Sequence, residues 1–128
     1  MAPEVSVTQA WVRATAEGQS GTGGFMTLTA KQPMRLVGVA SPVAGVGEVH
    51  EMKMEGDVMK MRALPGLDLP AGKAVELKSG GTHMMLMDLN QTLKYGTTVP
   101  VTLTFADAQG KQSQLTVQMQ VSFRPPKP

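Results

Sequence analysis

Residues 98–123, TVPVTLTFADAQGKQSQLTVQMQVSF, decide the fold class of this chain. Apolar residues occupy every second position on both sides of the polar segment Asp107–Gly110. Alternation with a period of two is typical of strands that bury one face, and a short connection containing glycine joins antiparallel strands. We therefore expect a hairpin of strands 98–105 and 114–123. Its buried face would carry Val99, Val101, Leu103, Phe105, Leu115, Val117, Met119, Val121 and Phe123.

The rest of the chain consists of similar short runs separated by turn residues. Trp11 alternates with Val5 and Val7, so we expect it to anchor the core from the first strand. The glycine-rich segment 15–24 and the proline-rich segment 64–72 are expected to be loops. About eight or nine strands without helical periodicity predict an all-β Greek-key sandwich or barrel. The further strands are expected at 5–12, 25–30, 34–40, 48–55, 58–64, 74–77 and 82–89.

Composition narrows the class of protein. The chain has 128 residues, which suits a single domain over 1–128 with frayed ends at 1–3 and 124–128, and we expect a monomer. Its net charge of +2 is scattered along the sequence, so a nucleic-acid partner is not indicated. The sequence has no apolar run of the roughly 18 residues that span a bilayer, so membrane insertion is not expected. Met1-Ala2-Pro3 looks like an initiator ahead of a mature chain, so we expect an export signal to be missing from this sequence.

Histidine and methionine are concentrated in three segments. Both histidines and seven of the eleven methionines lie in 50–54, 59–61 and 83–87. Alternate residues of a strand point to one face, so His83 shares a face with Met85, and His50 shares one with Met52. Imidazole and thioether are borderline and soft ligands, and thioethers select monovalent copper. The segments therefore predict a copper site.

A turn at Gly56-Asp57 sets how the first two segments pair. Glycine at the first of two loop positions predicts a type II′ hairpin turn. Met52 would then face Met61, and Met61 would lie diagonally beside His50, within side-chain reach. The opposite face of this hairpin carries charged residues that suit solvent, namely Glu51, Lys53, Lys60 and Arg62.

Four residues, His50, Met61, His83 and Met85, form the predicted site for Cu(I). Two neutral imidazoles and two thioethers suit this ion, and neither ligand type is lost to disulfide formation. Methionine is also a common filler of irregular cores, which is the ordinary explanation for any single one here. Met84 is expected to pack in the core. Whether Met52, Met54, Met59 or Met87 assist copper binding stays open, whereas Met26, Met34 and Met119 are expected to be structural.

The spacing of these residues resembles that of a known family. Ten residues separate His50 from Met61, twenty-one separate Met61 from His83, and one separates His83 from Met85. The flanking segments 77–86 and 101–105 are similar too. This is the copper motif of the PCuAC family, whose members are periplasmic copper chaperones with a cupredoxin-like fold.

The resemblance implies a role and partners. The chain would hold Cu(I) in the periplasm and pass it towards the binuclear copper centre of cytochrome c oxidase, with oxidase subunit II or a Sco-type assembly factor as acceptor. Some members have a C-terminal extension rich in histidine and methionine that adds Cu(II) capacity. This chain ends in Arg124-Pro125-Pro126-Lys127-Pro128, so we expect little specific Cu(II) binding.

Other functions are considered beside this one. A blue-copper electron carrier needs a cysteine ligand, and the chain contains none. No catalytic arrangement is recognisable, so an enzyme is not expected. Copper storage or resistance would use the same ligands as delivery and stays open. A metal-free β-sandwich interaction module is the remaining alternative.

Overall fold

Ten β-strands make up the computed structural model, which describes residues 4–78 and 81–124. Their bounds are β1 Val5–Arg13, β2 Gly21–Ala30, β3 Met34–Ala40, β4 Ala44–Glu55, β5 Val58–Leu64, β6 Leu67–Leu69, β7 Ala74–Leu77, β8 His83–Leu89, β9 Thr98–Asp107 and β10 Gln112–Ser122. Within those ranges no helix is long and apolar enough to cross a membrane. The all-β prediction is confirmed, with one or two strands more than expected.

The strands pair in one continuous path. Their order is β5-β4-β8-β2-β1-β10-β9-β3-β6, with β7 paired to β2 outside this path. β1 and β10 are parallel, and the other pairs of named strands are antiparallel. β5 and β6 therefore lie at the two edges of the sheet.

The hairpin that decides the fold class forms as β9 and β10, and its register joins Val117 to Val101. All four predicted core residues of β9 are buried, as are Met119 and Val121 of β10. The prediction for Phe123 is wrong: β10 ends at Ser122, and Phe123 is 66% exposed and stacks on the ring of Tyr95 at 5.5 Å.

The glycine-rich segment is not a loop throughout, because β2 begins at Gly21. Residues 21–24 pair with β8, and Gly24 also pairs with Val12 of β1. A Cβ at Gly24 would collide with Cε of Met84 and lie 3.3 Å from Cγ1 of Val12. The glycines make room between crowded strands here, which is a use of glycine that a sequence pattern does not distinguish from a loop.

The prediction that Trp11 anchors the main core is wrong, because β1 contains a bulge before this residue. The register of β1 against β2 shifts by one residue between Thr8 and Trp11, and Gln9 has a φ of 55°. An extra residue in a strand moves every later side chain to the other face. Trp11 is buried at 5% exposure, but it points away from the main core, to which Val12 belongs instead.

Smaller differences concern three other segments. The segment 64–72 contains the short strand β6, whose Leu69 pairs with Met34 and is buried. β4 begins at Ala44 rather than at residue 48. The residues expected to be frayed at 1–3 and 125–128 lie outside the described residues.

Candidate metal centre

The β4–β5 hairpin has the register that the sequence predicted. Met52 faces Met61, Met54 faces Met59, and His50 faces Ala63. Gly56 has a φ of 65°, as the first position of a type II′ turn requires. The turn thus brings Met61 to the strand face that carries His50.

β8 supplies the other two predicted ligands. His83, its first residue, lies directly opposite His50, and the two imidazole centroids are 6.3 Å apart. Met84 and Leu86 are fully buried in the core, as predicted for Met84, so His83 and Met85 point to the opposite face. The structure therefore brings His50, Met61, His83 and Met85 to one face of three adjacent strands, β5, β4 and β8.

A hydrogen bond orients the imidazole of His83. Its Nδ1 lies 2.9 Å from the carbonyl oxygen of Gly81, which can only accept, so Nδ1–H is the donor. In a neutral ring this leaves a lone pair on Nε2. A metal-binding histidine commonly donates its other N–H to a carbonyl or carboxylate in this way.

Glu48 does the same for His50. Its Oε1 lies 3.1 Å from Nε2 of His50, and a carboxylate only accepts, so Nε2–H donates. Nδ1 of His50 is then an acceptor, and it is buried without a hydrogen-bond partner. A buried nitrogen lone pair normally has a partner, so this unpaired atom fits a bound cation.

Sequence reasoning missed Glu48. It lies two residues before His50, so strand alternation alone puts it on the same face, and it pairs with Met85 across β4 and β8. That alternation was the available signal. The hairpin acids Glu51 and Glu55 face the other way and pair with Arg62 and Lys60.

The thioether of Met61 lies closer to solvent than the two imidazoles, of which that of His50 is 15% exposed. His83 is 8% exposed, whereas Met61 is 50% exposed and Met85 is partly buried. Met87 lies on the face of Met85, opposite Val46. A cation at this point would thus be shielded on the histidine side and accessible on the side of Met61.

The ring of Phe25 borders the site beside His83, and the ring of Trp11 packs against that of Phe25. The ring of Phe25 is centred 6.3 Å from that of His83 and 4.7 Å from that of Trp11. The guanidinium of Arg13 lies over both aromatic rings, at 5.6 and 5.8 Å. A cleft of about 410 Å³ adjoins this pair. Strand alternation did not predict this aromatic pair, because the bulge in β1 turns Trp11 away from the main core.

The donor set fits a soft cation. In the described ranges no three residues among His, Cys, Asp and Glu form a group that could hold a metal ion. Zinc, calcium and magnesium sites are built mainly from such groups. Two imidazole nitrogens with neighbouring thioethers suit a monovalent soft ion instead.

Comparison with known proteins gives the family. The family model described as "Putative lipoprotein LpqE-like" matches residues 5–121. The "Putative lipoprotein Lxx21020" of Leifsonia xyli subsp. xyli is 35% identical over 104 residues, which cover 80% of this chain. They cover 63% of that protein, so the chain matches less than two thirds of this curated relative's length.

Solved structures of PCuAC proteins are similar to this chain over most of its length. The apo PCuAC domain from PmoF1 has a TM-score of 0.75 at 19% identity, covering 95% of this chain and 96% of that one, which shows the fold alone. DR1885 from Deinococcus radiodurans is 32% identical in its apo form, with a TM-score of 0.66 and coverage of 95% and 82%. Its Cu(I) form is 30% identical, with a TM-score of 0.61 and coverage of 93% and 78%. The fold is therefore cupredoxin-like, and the chain belongs to the LpqE-like family, which is the PCuAC family.

Proposed function

We propose that this chain is a periplasmic Cu(I) chaperone that delivers copper towards the binuclear centre of cytochrome c oxidase. One observation carries the proposal: His50 and His83 face each other, and each donates one N–H to an oxygen and keeps a free lone pair on the other nitrogen. The Cu(I) form of the relative DR1885 and the lipoprotein family support copper as cargo and an extracytoplasmic location.

The four predicted ligands would have two different roles in binding copper. His50 and His83 would form the fixed part of the site, because the oxygens of Glu48 and Gly81 hold their rings. Met61 and Met85 would add sulfur donors that prefer Cu(I). We infer a carrier that performs no chemical turnover on its cargo.

The uneven exposure supports exchange with a partner. Met61 is half exposed on the edge strand β5, and its unbranched side chain can leave the ion without opening the sheet. An acceptor's ligand would replace it and form an intermediate in which both proteins hold the copper. Storage, which needs retention rather than exchange, is less well served by this geometry.

Titration with Cu(I) against a competing chelator tests the binding site. We expect one tight equivalent, with affinity falling more than tenfold in His50→Ala, His83→Ala and Met85→Leu, because each loses a ligand worth more than about 1.4 kcal/mol. Met34→Leu is the control, since Met34 packs against the core away from the site. Unchanged affinity in all three ligand variants would exclude the site.

Transfer kinetics test delivery. The Cu(I)-loaded chain is mixed with the soluble domain of oxidase subunit II or with a Sco-type protein, and a chelator traps free copper. Direct exchange predicts a rate that rises with acceptor concentration, and a slower rate in Met61→Leu. A rate that equals spontaneous release at every acceptor concentration would contradict delivery by direct exchange.

A further inference from the structure

The β4–β5 hairpin extends beyond the predicted copper ligands. Strand β8 pairs with β4 as far as His50, and residues 51–55 of β4 pair with β5. The hairpin there is a two-stranded ribbon. One of its faces continues the row of His50 and carries two cross-strand methionine pairs, Met52 with Met61 and Met54 with Met59.

The outer pair is not explained by packing. Met54 is 56% exposed and Met59 is 50% exposed, and neither belongs to the hydrophobic core. A filler methionine in a core would be buried. The ribbon's other face instead carries ion pairs, Arg62 with Glu51 and Lys60 with Glu55, so the thioethers are sorted onto the face of the site.

Two facing thioethers form a donor pair for a soft ion. Residues directly opposite each other on antiparallel strands have Cβ atoms roughly 5 Å apart, and three rotatable bonds let both sulfurs turn towards one point. A monovalent d¹⁰ ion accepts two donors, and thioethers select such ions over divalent ones. We propose that Met54 and Met59 form a second, weaker site for Cu(I), separate from the histidine pair.

This second site deepens the proposed function on which it rests. Successive pairs on one face of a strand are about 7 Å apart, so Met54 and Met59 are one step from Met52 and Met61, and these are one step from His50. An ion held at the ribbon's end would lie at the exposed end of a row of donors that leads to the histidines. The ribbon would be where copper arrives or leaves.

Titration of the whole chain with Ag(I) tests the second site. Ag(I) is a d¹⁰ ion that does not change oxidation state under these conditions, and methyl-¹³C methionine reports each thioether by NMR. We expect the first equivalent to shift the methyl signals of Met61 and Met85. The second equivalent should shift those of Met54 and Met59.

Variants separate the two sites. Met54→Leu/Met59→Leu keeps the apolar surface, and we expect it to lose the second step and keep the first. The control Met34→Leu/Met119→Leu also removes two sulfurs, from the core and its margin, and should keep both steps. Shifts of Met54 and Met59 that persist in His50→Ala/His83→Ala would support the second site even if the first failed. Unshifted Met54 and Met59 signals after several equivalents, or a second step retained in Met54→Leu/Met59→Leu, would overturn it.

Discussion

Glu48 is the residue through which the site's geometry can be probed without removing a ligand. Its carboxylate accepts from Nε2 of His50 and so leaves Nδ1 free. We predict that Glu48→Gln lowers Cu(I) affinity about 10- to 100-fold, because an amide can also donate and no longer holds one tautomer. Chelator competition measures this affinity.

Glu51→Gln is the matched control for that change. Glu51 lies on the other face of β4 and accepts a hydrogen bond from Nε of Arg62 at 2.6 Å. The Glu51→Gln variant should therefore leave Cu(I) affinity unchanged. Equal losses in the two variants would mean that net charge, rather than the orientation of His50, determines binding.

Gly47 sets how closely β4 approaches β3. A Cβ there would press on the carbonyl oxygen of Val39 and lie 2.9 Å from its carbonyl carbon, and backbone cannot move aside as a side chain can. We predict that Gly47→Ala lowers the free energy of unfolding by about 1–3 kcal/mol. In Gly21→Ala the new Cβ meets only ordinary contacts, so the change should stay below about 1 kcal/mol. Urea denaturation compares the two, and equal midpoints would contradict the account of Gly47.

At this scale the sequence predicted which residues share a strand face better than it predicted the surroundings of those residues. Alternation and the Gly56-Asp57 turn were enough to bring Met61 to the face of His50. The face of Trp11 could not be predicted, because a bulge at Gln9 depends on packing rather than on a local pattern. Glu48 was missed because a carboxylate near a histidine resembles an ordinary surface charge.

Among the elements, β2 departs most from expectation. Its glycines break regular structure in isolation, but between β1 and β8 they allow strands to pack closely. The hairpins 48–64 and 98–123 were predictable because their turns and alternation lie within a few residues. The first half of β2 depends on neighbours that are distant in sequence.

Amide hydrogen exchange tests whether residues 21–24 form a paired strand. Residues 21–24 lie in a central strand, so we predict slow exchange for the amides of this segment that pair with β1 and β8. Gly18, in the turn before the strand, should exchange rapidly. Equally fast exchange at Gly18 and throughout 21–24 would show that the segment is the loop that composition suggests.

In the whole molecule, the residues that stabilise the fold and the residues predicted to bind copper lie in different places. The core fills one face of the sheet, and the histidines lie on the opposite face near the edge formed by β5. The pairing of β4 with β8 brings together His50 and His83, which are 33 positions apart (83 − 50). Local patterns predicted each of these strands but not their order, for which the resemblance to the PCuAC family was the only guide.

X-ray absorption at the copper edge of the chain loaded with one equivalent of Cu(I) tests the central claim most directly. Two nitrogen and two sulfur neighbours are predicted for the wild-type chain. The sulfur contribution should disappear in Met61→Leu/Met85→Leu. A copper ion surrounded only by nitrogen and oxygen in the wild-type chain would contradict the site.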